Sequence, residues 1–349
     1  MANFSITDAE NMSLALRLAA KGNLGVKGNP MVGCVISKDN QIIAQGYHQT
    51  YGENHAEINA LDEINHQADG TTLYVSLEPC SHQGKTPPCA QAIINAGVKR
   101  VVIAMLDPNP LVSGRGVAML EAAGINVSTG LLEDQARKLN RGFIKRMVDK
   151  RPFVTCKVGM SLDGKTSMAS GESKWITSSA ARADVQRLRA RHQAIMTGSG
   201  TVVSDNPSMT VRLKGVEATP LRVVIDSKGS LQDQSLKIFS DDAPTLVFAK
   251  DNAKLNDQGK IDLTSVLESL AEQEINTVLL EAGPGLVGAM LEAKLIDELV
   301  IYSAPVIMGS NANSFADLPI QQLSEKLKLK IQDVRMLGDD LKLTATIDD

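Results

Sequence analysis

Four residues in two short segments have the types and spacing to perform chemistry together. His55 and Glu57 flank Ala56, and Cys80 and Cys89 enclose a proline-bounded loop. One imidazole and two thiolates are a ligand set for catalytic zinc, which leaves the fourth metal position open to water. Zinc lowers the pKa of such a water from about 15.7 to about 7. A nearby carboxylate, here Glu57, can then move protons, and this combination is typical of a hydrolytic deaminase.

Helix starts must bring these residues together. Side chains at positions i and i+2 of a helix lie about 200° apart, so His55 and Glu57 can converge only beyond a helix end. Asn54 is the expected N-cap of that helix, and Pro87-Pro88 predicts a second helix start just before Cys89. The positive ends of both helices would favour the thiolate form of the cysteines.

The residues alone leave other interpretations of this cluster open. A structural zinc site with His82 as the fourth ligand would leave Glu57 without a role. Chance clustering of buried cysteines is a weaker alternative, because prolines hold both loops. His48 and His66 are expected to be surface or hydrogen-bonded histidines rather than ligands. Cys34 and Cys156 lie in apolar strands and are expected to be core residues.

Composition narrows the class of protein. The 349 residues suggest about two domains. A net charge of −4 and 3% aromatic residues argue against a nucleic-acid partner and favour a small-molecule substrate. Four cysteines make no disulfide framework, and early acidic residues make the N-terminus unlike a signal peptide. The apolar runs are too short for a membrane span. A cytoplasmic protein is expected.

Strands alternate with helices in the first part of the chain, which predicts an α/β domain. A capping box at Thr7-Asp8-Ala9-Glu10 is expected to start the first helix. The predicted strands cover 32–37, 41–47, 72–77, 100–106 and 125–128, and the predicted helices cover 55–65, 87–96 and 114–123. The first two strands are expected to form a hairpin, and the later ones to run parallel. A charged helix over 133–147 leads to a linker at Asp149-Lys150-Arg151-Pro152.

A second α/β series follows, so the expected domains are 1–148 and 149–349. Its strands are predicted at 153–159, 193–197, 221–226, 244–249, 275–281 and 297–303, its helices at 178–192 and 285–294, and a terminal antiparallel pair within 327–347. No G-x-G-x-x-G follows a strand. A glycine-rich turn at Gly283-Pro284-Gly285 could bind phosphate at a helix start, or could be ordinary punctuation between a strand and a helix.

Several motifs resemble known families. Asn29-Pro30-Met31-Val32-Gly33, His55-Ala56-Glu57 and Pro79-Cys80 resemble the cytidine-deaminase-like superfamily, although eight residues separate the cysteines where two are usual. The stretch from Glu78 to Cys89, followed by Asp107-Pro108-Asn109-Pro110, resembles the bacterial bifunctional deaminase–reductase of the riboflavin pathway. Later segments continue this resemblance to about residue 310, and they are Lys157–Lys165, Gly171–Thr177, Thr201–Pro207 and Glu281–Gly285.

The resemblance implies a fold and two activities. The first domain would be a three-layer α/β/α unit with a mixed sheet, and the second a dihydrofolate-reductase-like α/β unit. The first would deaminate 2,5-diamino-6-ribosylamino-4(3H)-pyrimidinone 5′-phosphate with one zinc ion. The second would reduce the ribosyl side chain with NADPH, giving 5-amino-6-ribitylaminouracil 5′-phosphate. A homodimer or homotetramer built through the second domain is also implied.

The resemblance further implies a role for particular residues. His55, Cys80 and Cys89 would bind the metal, with Glu57 catalytic. Pyrimidine contacts would be Asn29, His48, Lys85, Asp107 and Asn109. Cofactor contacts would be Gly159, Trp175, Thr201, Asp205, Ser227, Gly283, Pro284, Gly285, Leu286, Val287, Gly288 and Ala289. Contacts to the substrate of the second domain would be Ser173, Arg189, Met209, Arg212 and Glu281.

Some second-domain residues keep a plainer interpretation. Trp175, the sole tryptophan, could simply fill a core. Lys157 and Asp205 are the polar groups expected near hydride transfer, without an assigned role. The leading hypothesis is an enzyme for consecutive steps of riboflavin biosynthesis. The alternatives are a deaminase of a free base such as guanine or cytosine with a reductase-like binding domain, and a zinc-containing protein that senses a pyrimidine phosphate.

Overall fold

The chain forms two compact units, Met1–Lys150 and Arg151–Asp349. The computed structural model describes residues 4–81, 88–110 and 112–348. Among these residues, no helix combines the length and apolar composition that crossing a membrane requires.

The first unit contains one five-stranded sheet and six α-helices among its described residues. Its strands are β1 (Gly33–Lys38), β2 (Gln41–Tyr47), β3 (Thr72–Val75), β4 (Arg100–Ile103) and β5 (Asn126–Thr129). Its helices are α1 (Ile6–Ala19), α2 (Ala56–Asp62), α3 (Cys89–Asn95), α4 (Arg115–Ala122), α5 (Glu133–Leu139) and α6 (Arg141–Asp149). The strand order is β2-β1-β3-β4-β5. The predicted hairpin of β1 and β2 is confirmed, and so is the parallel pairing of β3, β4 and β5.

Two strand glycines show that α1 and α2 cover opposite faces of this sheet. A Cβ at Gly33 would meet the carbonyl oxygen of Ala15 in α1 at 2.0 Å. A Cβ at Gly46 would meet the carbonyl oxygen of Ala56 in α2 at 2.5 Å. Gly46 pairs with Cys34, the residue after Gly33, and paired residues share a face while successive residues alternate. Glycine at both positions therefore allows close helix–sheet contact in a three-layer unit.

The start of α1 differs from the prediction. Ser5 is the N-cap, and its hydroxyl accepts the backbone N–H of Asp8 at 3.0 Å while the Asp8 carboxylate accepts the backbone N–H of Ser5 at 2.9 Å. The capping box predicted from Thr7 is therefore wrong by two residues, because the Ser5 hydroxyl offers the same capping chemistry two residues earlier.

The predicted single helix over 133–147 is two helices, α5 and α6, which are interrupted at Asn140. The Asn140 side chain accepts the backbone N–H of Met31 at 2.8 Å and donates to the Met31 carbonyl at 2.9 Å. This long-range pairing holds Asn140 between the helices, and local charge patterning carries no sign of it.

The second unit contains an eight-stranded sheet. Its strands and the small pair beside it are β6 (Phe153–Ser161), β7 (Lys165–Ser167), β8 (Ala194–Gly198), β9 (Leu221–Asp226), β10 (Thr245–Ala249), β11 (Thr277–Leu280), β12 (Glu298–Ala304), β13 (Asn313–Ser314), β14 (Lys328–Leu337) and β15 (Asp340–Asp348). Its helices are α7 (Ser179–Ala190), α8 (Ser199–Asp205), α9 (Leu263–Glu272) and α10 (Pro284–Glu292). The main sheet has the order β10-β9-β8-β11-β6-β12-β15-β14, and β7 pairs with β13. Sequence patterns missed α8 and α9.

The sheet of the second unit is parallel from β10 to β12 and becomes antiparallel at β15 and β14. The predicted terminal antiparallel pair is therefore confirmed. Each unit has its own apolar core, and Cys34 and Cys156 are both 0% exposed within these cores. The expectation that these two cysteines are core residues is also confirmed.

Candidate active sites

His55, Cys80 and Cys89 meet at the starts of α2 and α3. His55 precedes α2, Cys89 is the first residue of α3, and Cys80 lies in the loop after β3. The Nδ1 atom of His55 lies 3.3 Å from the Cys89 sulfur and 3.7 Å from the Cys80 sulfur. All three candidate ligand atoms lie within 4.8 Å of one another, and this donor set suits zinc. Because both sulfurs approach Nδ1, the geometry offers this nitrogen to a metal.

The two cysteines divide one negative charge unequally. A hydrogen bond from Cys89 lowers the pKa of the Cys80 thiol to about 4, while the same bond raises the pKa of Cys89. The backbone N–H of Cys89, at the start of α3, also donates to the Cys80 sulfur at 3.3 Å. Both shifts favour the thiolate form of Cys80 and the thiol form of Cys89. Binding a divalent ion would release the proton of Cys89.

Glu57 lies in the first turn of α2 and is only 3% exposed. Burial raises the pKa of its carboxyl to about 7, and its side chain hydrogen-bonds that of Cys89. A buried carboxyl with a pKa near neutrality can both accept and return a proton. The structure therefore brings Glu57 to the cysteine cluster, as a proton-transfer role requires.

The predicted cap of α2 is wrong, and the reason concerns the site. His55 occupies the N-cap position without a capping side-chain bond. The carbonyl of Asn54 accepts a hydrogen bond from His48 Nδ1 at 3.0 Å, and the side-chain amide of Asn54 donates to Asp62 at 3.3 Å. Asn54 therefore binds the His48 imidazole through its backbone carbonyl and does not cap α2.

Asn29 and His48 lie together beside the cluster. Since His48 Nδ1 donates to a carbonyl, its Nε2 accepts from the Asn29 amide at 3.0 Å. Burial lowers the pKa of His48, which favours this neutral form. The His48 and His55 rings lie edge to face, with 5.4 Å between their centroids. Two of the predicted pyrimidine contacts therefore adjoin the candidate metal ligands.

Two of the other predicted pyrimidine contacts lie on the loop after β4. Asp107 and Asn109 follow β4, and the Asp107 carboxylate accepts the backbone N–H of Asn109 at 2.8 Å. Lys85 and the alternative ligand His82 lie outside the described residues.

A cavity of about 1500 Å³ in the second unit collects most of the residues predicted there. The predicted residues that line this cavity are Gly159, Ser173, Trp175, Arg189, Thr201, Asp205, Met209, Arg212, Ser227, Glu281, Gly283, Pro284, Gly285, Leu286 and Ala289. Lys157 lines it as well. Most of these residues come from β6, from the ends of β9 and β11, and from α7, α8 and α10, while Ser173, Trp175, Met209 and Arg212 come from loops. Open α/β sheets bind ligands at the ends of their strands.

The start of α10 contributes only part of its predicted stretch to the cavity. Gly283 is the N-cap and Pro284 the first helical residue, and the Thr201 hydroxyl lies near Gly283. Val287, by contrast, is buried in the apolar core, and a Cβ at Gly288 would meet the carbonyl oxygen of Asp317 at 2.0 Å. The prediction that these last two residues contact the cofactor is therefore not supported, because the helix turns them away from the cavity.

Glu281 anchors a buried charge cluster in the cavity wall. Its carboxylate accepts hydrogen bonds from Arg189 at 2.7 and 3.1 Å and forms an ion pair with Lys157 at 3.0 Å. Burial disfavours the charged form, yet the two cations outweigh it and hold the pKa of Glu281 well below its usual range. Two cations share one carboxylate, so this cluster carries an excess positive charge.

Trp175 does not fill a core. Its side chain is 72% exposed, and the Arg182 guanidinium lies 4.5 Å from the ring centroid at the cavity wall. Sequence reasoning missed Arg182 among the several arginines of its helix, because only the fold shows which one meets the ring. It also missed the buried Tyr302, which lines the cavity and donates from its hydroxyl to Asp184 at 2.8 Å.

Two family models match the chain on either side of the boundary between its units. Residues 5–105 match the cytidine and deoxycytidylate deaminase zinc-binding region, and residues 152–343 match the RibD C-terminal domain. Together these matches cover most of the chain. The chain belongs to the RibD family.

Full-length relatives agree with this assignment. The riboflavin biosynthesis protein RibD of Escherichia coli K12 is 44% identical, over 96% of this chain and 98% of the relative. RibD of Haemophilus influenzae is 42% identical, over 99% of each chain.

Solved structures are similar over the same length. Acinetobacter baumannii RibD has a TM-score of 0.91 and 42% identity, covering 98% of this chain and 99% of that one. A diaminohydroxyphosphoribosylaminopyrimidine deaminase/5-amino-6-(5-phosphoribosylamino)uracil reductase from Thermotoga maritima has a TM-score of 0.89 and 36% identity, with the same coverage. The predicted two-domain α/β fold is confirmed. This RibD-family chain is a bifunctional enzyme of riboflavin biosynthesis, with a zinc-dependent deaminase domain followed by an NADPH-dependent reductase domain.

Proposed function

We propose that residues 1–148 deaminate 2,5-diamino-6-ribosylamino-4(3H)-pyrimidinone 5′-phosphate and that residues 149–349 then reduce its ribosyl side chain. The final product is 5-amino-6-ribitylaminouracil 5′-phosphate. The observation that carries the first step is the convergence of His55, Cys80 and Cys89 beside the buried Glu57. The name of the Thermotoga maritima relative supports the substrate. We place the enzyme in the cytoplasm, where unpaired thiols stay reduced.

In the deaminase domain, His55 Nδ1 and the sulfurs of Cys80 and Cys89 bind zinc. The ion, when bound, lowers the pKa of a water molecule to about 7. Glu57 accepts a proton from the water whose oxygen bonds to the amino-bearing ring carbon. It gives this proton to the ring nitrogen. Glu57 then carries the proton of the new hydroxyl group to the amino nitrogen, and ammonia leaves as the carbon–nitrogen bond breaks and the carbonyl forms.

Asn29, His48, Asp107 and Asn109 bind the pyrimidine in this proposal, together with Lys85. The hydrogen bonds of His48 support it, since they fix both the ring and the Asn29 amide beside the candidate metal site. A pre-oriented amide discriminates between ring edges because an unmatched partner would leave a polar group unpaired.

In the reductase domain, the cavity binds NADPH and the sugar phosphate. The backbone at the start of α10 and Thr201 are placed to meet the pyrophosphate, since a helix N-terminus favours anions. The remaining cofactor contacts that line the cavity are Gly159, Trp175, Asp205 and Ser227. The volume of about 1500 Å³ suits a dinucleotide and a second ligand together.

The ribosyl substrate lies against the charge cluster in this proposal. Arg189 and Arg212, with Ser173 and Met209, contact the substrate, and Glu281 orients Arg189 as well as meeting the substrate itself. The excess positive charge around Glu281 supports binding of a phosphorylated sugar.

Lys157 and Asp205 would lie beside the nicotinamide, which supplies the hydride when NADPH is bound. Both residues line the cavity, and Lys157 is held by its ion pair with Glu281. As hydride adds to C1′ of the ribosyl group, the bond from C1′ to the ring oxygen breaks, and a fixed ammonium group can stabilise the negative charge that develops on that oxygen.

We also infer a homo-oligomer, a dimer or tetramer, that forms through β14. This edge strand exposes Leu329, Ile331, Val334 and Met336. Their partners in β15 are alternate residues, so all four side chains share one face, and the irregularity between Ile331 and Asp333 preserves that alignment. An exposed apolar edge strand of this length favours pairing with a second copy of the chain. Light scattering of Ile331→Lys should show a smaller mass than the parent protein.

Purified protein incubated with the diaminopyrimidine ribotide tests the proposed function. Ammonia should appear with or without NADPH, and the ribityl product only with NADPH. Glu57→Ala should abolish ammonia release while zinc stays near one ion per chain. Glu63→Ala, at the exposed end of α2, is the matched control and should retain activity. Loss of zinc from Glu57→Ala, or activity on free guanine or cytosine alone, would contradict the proposal.

A further inference from the structure

Glu78 is a buried carboxylate that the proposed deamination does not use. Its residue is 4% exposed and lies two positions before Cys80. Four backbone N–H groups donate to it. Oε2 accepts from Asp107 at 3.1 Å and Gly114 at 3.0 Å, and Oε1 accepts from Gly116 at 2.9 Å and Val117 at 3.3 Å.

Three of these donors belong to the start of α4. The N-cap of this helix, Gly114, has a φ of 80° and offers no capping side chain. The first N–H groups of a helix need partners from outside it. Glu78 supplies them from a distant segment, and its negative charge suits the positive end of the helix. A carboxylate that accepts several backbone N–H groups forms strong, charge-assisted bonds.

Backbone contact reinforces this junction. A Cβ at Gly116 would meet the carbonyl oxygen of Pro79 at 2.1 Å, so the start of α4 lies directly against the backbone next to Cys80. The backbone N–H of Glu78 also donates to the Met105 carbonyl at 3.0 Å. Glu78 is therefore fixed to the end of β4 through its backbone and to the start of α4 through its side chain.

The loop between these two anchors carries Asp107 and Asn109. Glu78 binds the backbone N–H of Asp107, and the Asp107 carboxylate in turn accepts the backbone N–H of Asn109. One side chain therefore connects the segment that contains Cys80 with the loop that contains both residues.

We propose that Glu78 is a positioning residue for the deaminase reaction, which fixes Asp107 and Asn109 relative to the metal-binding segment. It acts through Asp107 and Asn109 and touches neither substrate nor metal. This inference rests on the proposed pyrimidine contacts of those two residues.

Glu78→Gln tests it while keeping the size of the side chain. The amide nitrogen replaces one acceptor oxygen and turns its own N–H groups toward two backbone donors. A displacement of about 1 Å can lower catalytic efficiency by about 100-fold. We expect the KM for the ribotide in ammonia release to rise by about 10- to 100-fold. Zinc should stay near one ion per chain, and reduction of the deaminated ribotide by the same chain should be unchanged.

Glu63→Gln is the matched control. The exposed Glu63 carboxylate, in the same domain, also accepts a backbone N–H, from Gln45 at 2.9 Å. The KM of Glu63→Gln for the ribotide should equal that of the parent protein. Glu78→Asp retains the charge on a shorter side chain and should give an intermediate KM, and it decides the question if Glu78→Gln does not fold.

Two outcomes would overturn the inference. In one, both Glu78 variants keep the parental KM and zinc content. In the other, zinc is lost and the KM of the remaining zinc-loaded enzyme is normal, which would make Glu78 a support for the metal segment alone. Asp107→Ala separates this from the proposed function. If Asp107→Ala leaves the KM unchanged, the pyrimidine assignment itself fails, whatever the Glu78 variants do.

Discussion

Asp8 joins the first helix of the deaminase domain to its sheet, and its ionisation has a predictable effect on stability. Its carboxylate accepts hydrogen bonds from Arg100 at 2.7 and 3.2 Å, from the Tyr74 hydroxyl at 2.8 Å and from the backbone of Ser5 at 2.9 Å. Burial opposes the charge, but the bonds to Arg100 and the others outweigh it and lower the pKa from 3.8 to about 2.

The shift of nearly two pKa units corresponds to about 2 kcal/mol of folding stability at pH 7. Because the folded pKa is depressed, this contribution is present above the unfolded pKa and is lost as the pH falls through the folded value. Asp8→Asn should therefore lower the free energy of unfolding by about 2 kcal/mol at pH 7 and by roughly half as much at pH 3.

Urea unfolding at several pH values, followed by two signals, measures this effect. The sole tryptophan, Trp175, lies in the second unit, so its fluorescence follows the reductase domain. Far-UV circular dichroism follows both domains. Asp8→Asn should shift the urea midpoint of the part of the circular-dichroism change that is not accompanied by a change in fluorescence. The fluorescence transition should keep its urea midpoint. An equal loss of stability at pH 7 and pH 3 would refute the electrostatic reasoning.

Three further perturbations separate the two domains. A chelator should abolish ammonia release, added zinc should restore it, and NADPH-dependent reduction should persist throughout; loss of reduction would contradict independent sites. Arg189→Met removes one of the two cations paired with Glu281, so reduction should fail and the fluorescence transition should lose about 3 kcal/mol, with ammonia release intact. Gly46→Ala places a Cβ against the carbonyl of Ala56 at 2.5 Å and should displace α2. The rate of ammonia release by Gly46→Ala should fall by at least about tenfold while reduction is unchanged. Ammonia release at the parental rate would show that α2 can move without loss of activity.

The metal cluster could be predicted because its signal is local. The proline beside each cysteine and the triplet at His55 indicated loops and a helix start, and the fold brings those segments together. The positions of the helix N-caps were predicted less accurately than the metal cluster. Ser5 and Thr7 are equivalent candidates by type, and Asn54 has the right chemistry for a cap but its carbonyl holds His48. Neighbouring residues in space decide between such candidates.

Long-range partners account for the other differences. Asn140 divides a continuous charged pattern because it binds the Met31 backbone, 109 positions away in sequence. Glu78 lies within a recognisable motif, yet its four backbone partners lie 29 to 39 positions further along. Sequence analysis named Glu78 only as the first residue of a stretch that resembles the family, and only the fold shows what its carboxylate contacts.

Because the thiols of Cys34 and Cys156 are buried in the two cores, chemical modification of thiols can report on the deaminase site alone. With Cys34, Cys89 and Cys156 closed to solvent, a thiol reagent applied to the native enzyme can reach only Cys80 of the metal cluster. The number of modified sulfurs would then count empty metal sites in a preparation, and protection by added zinc would follow their refilling.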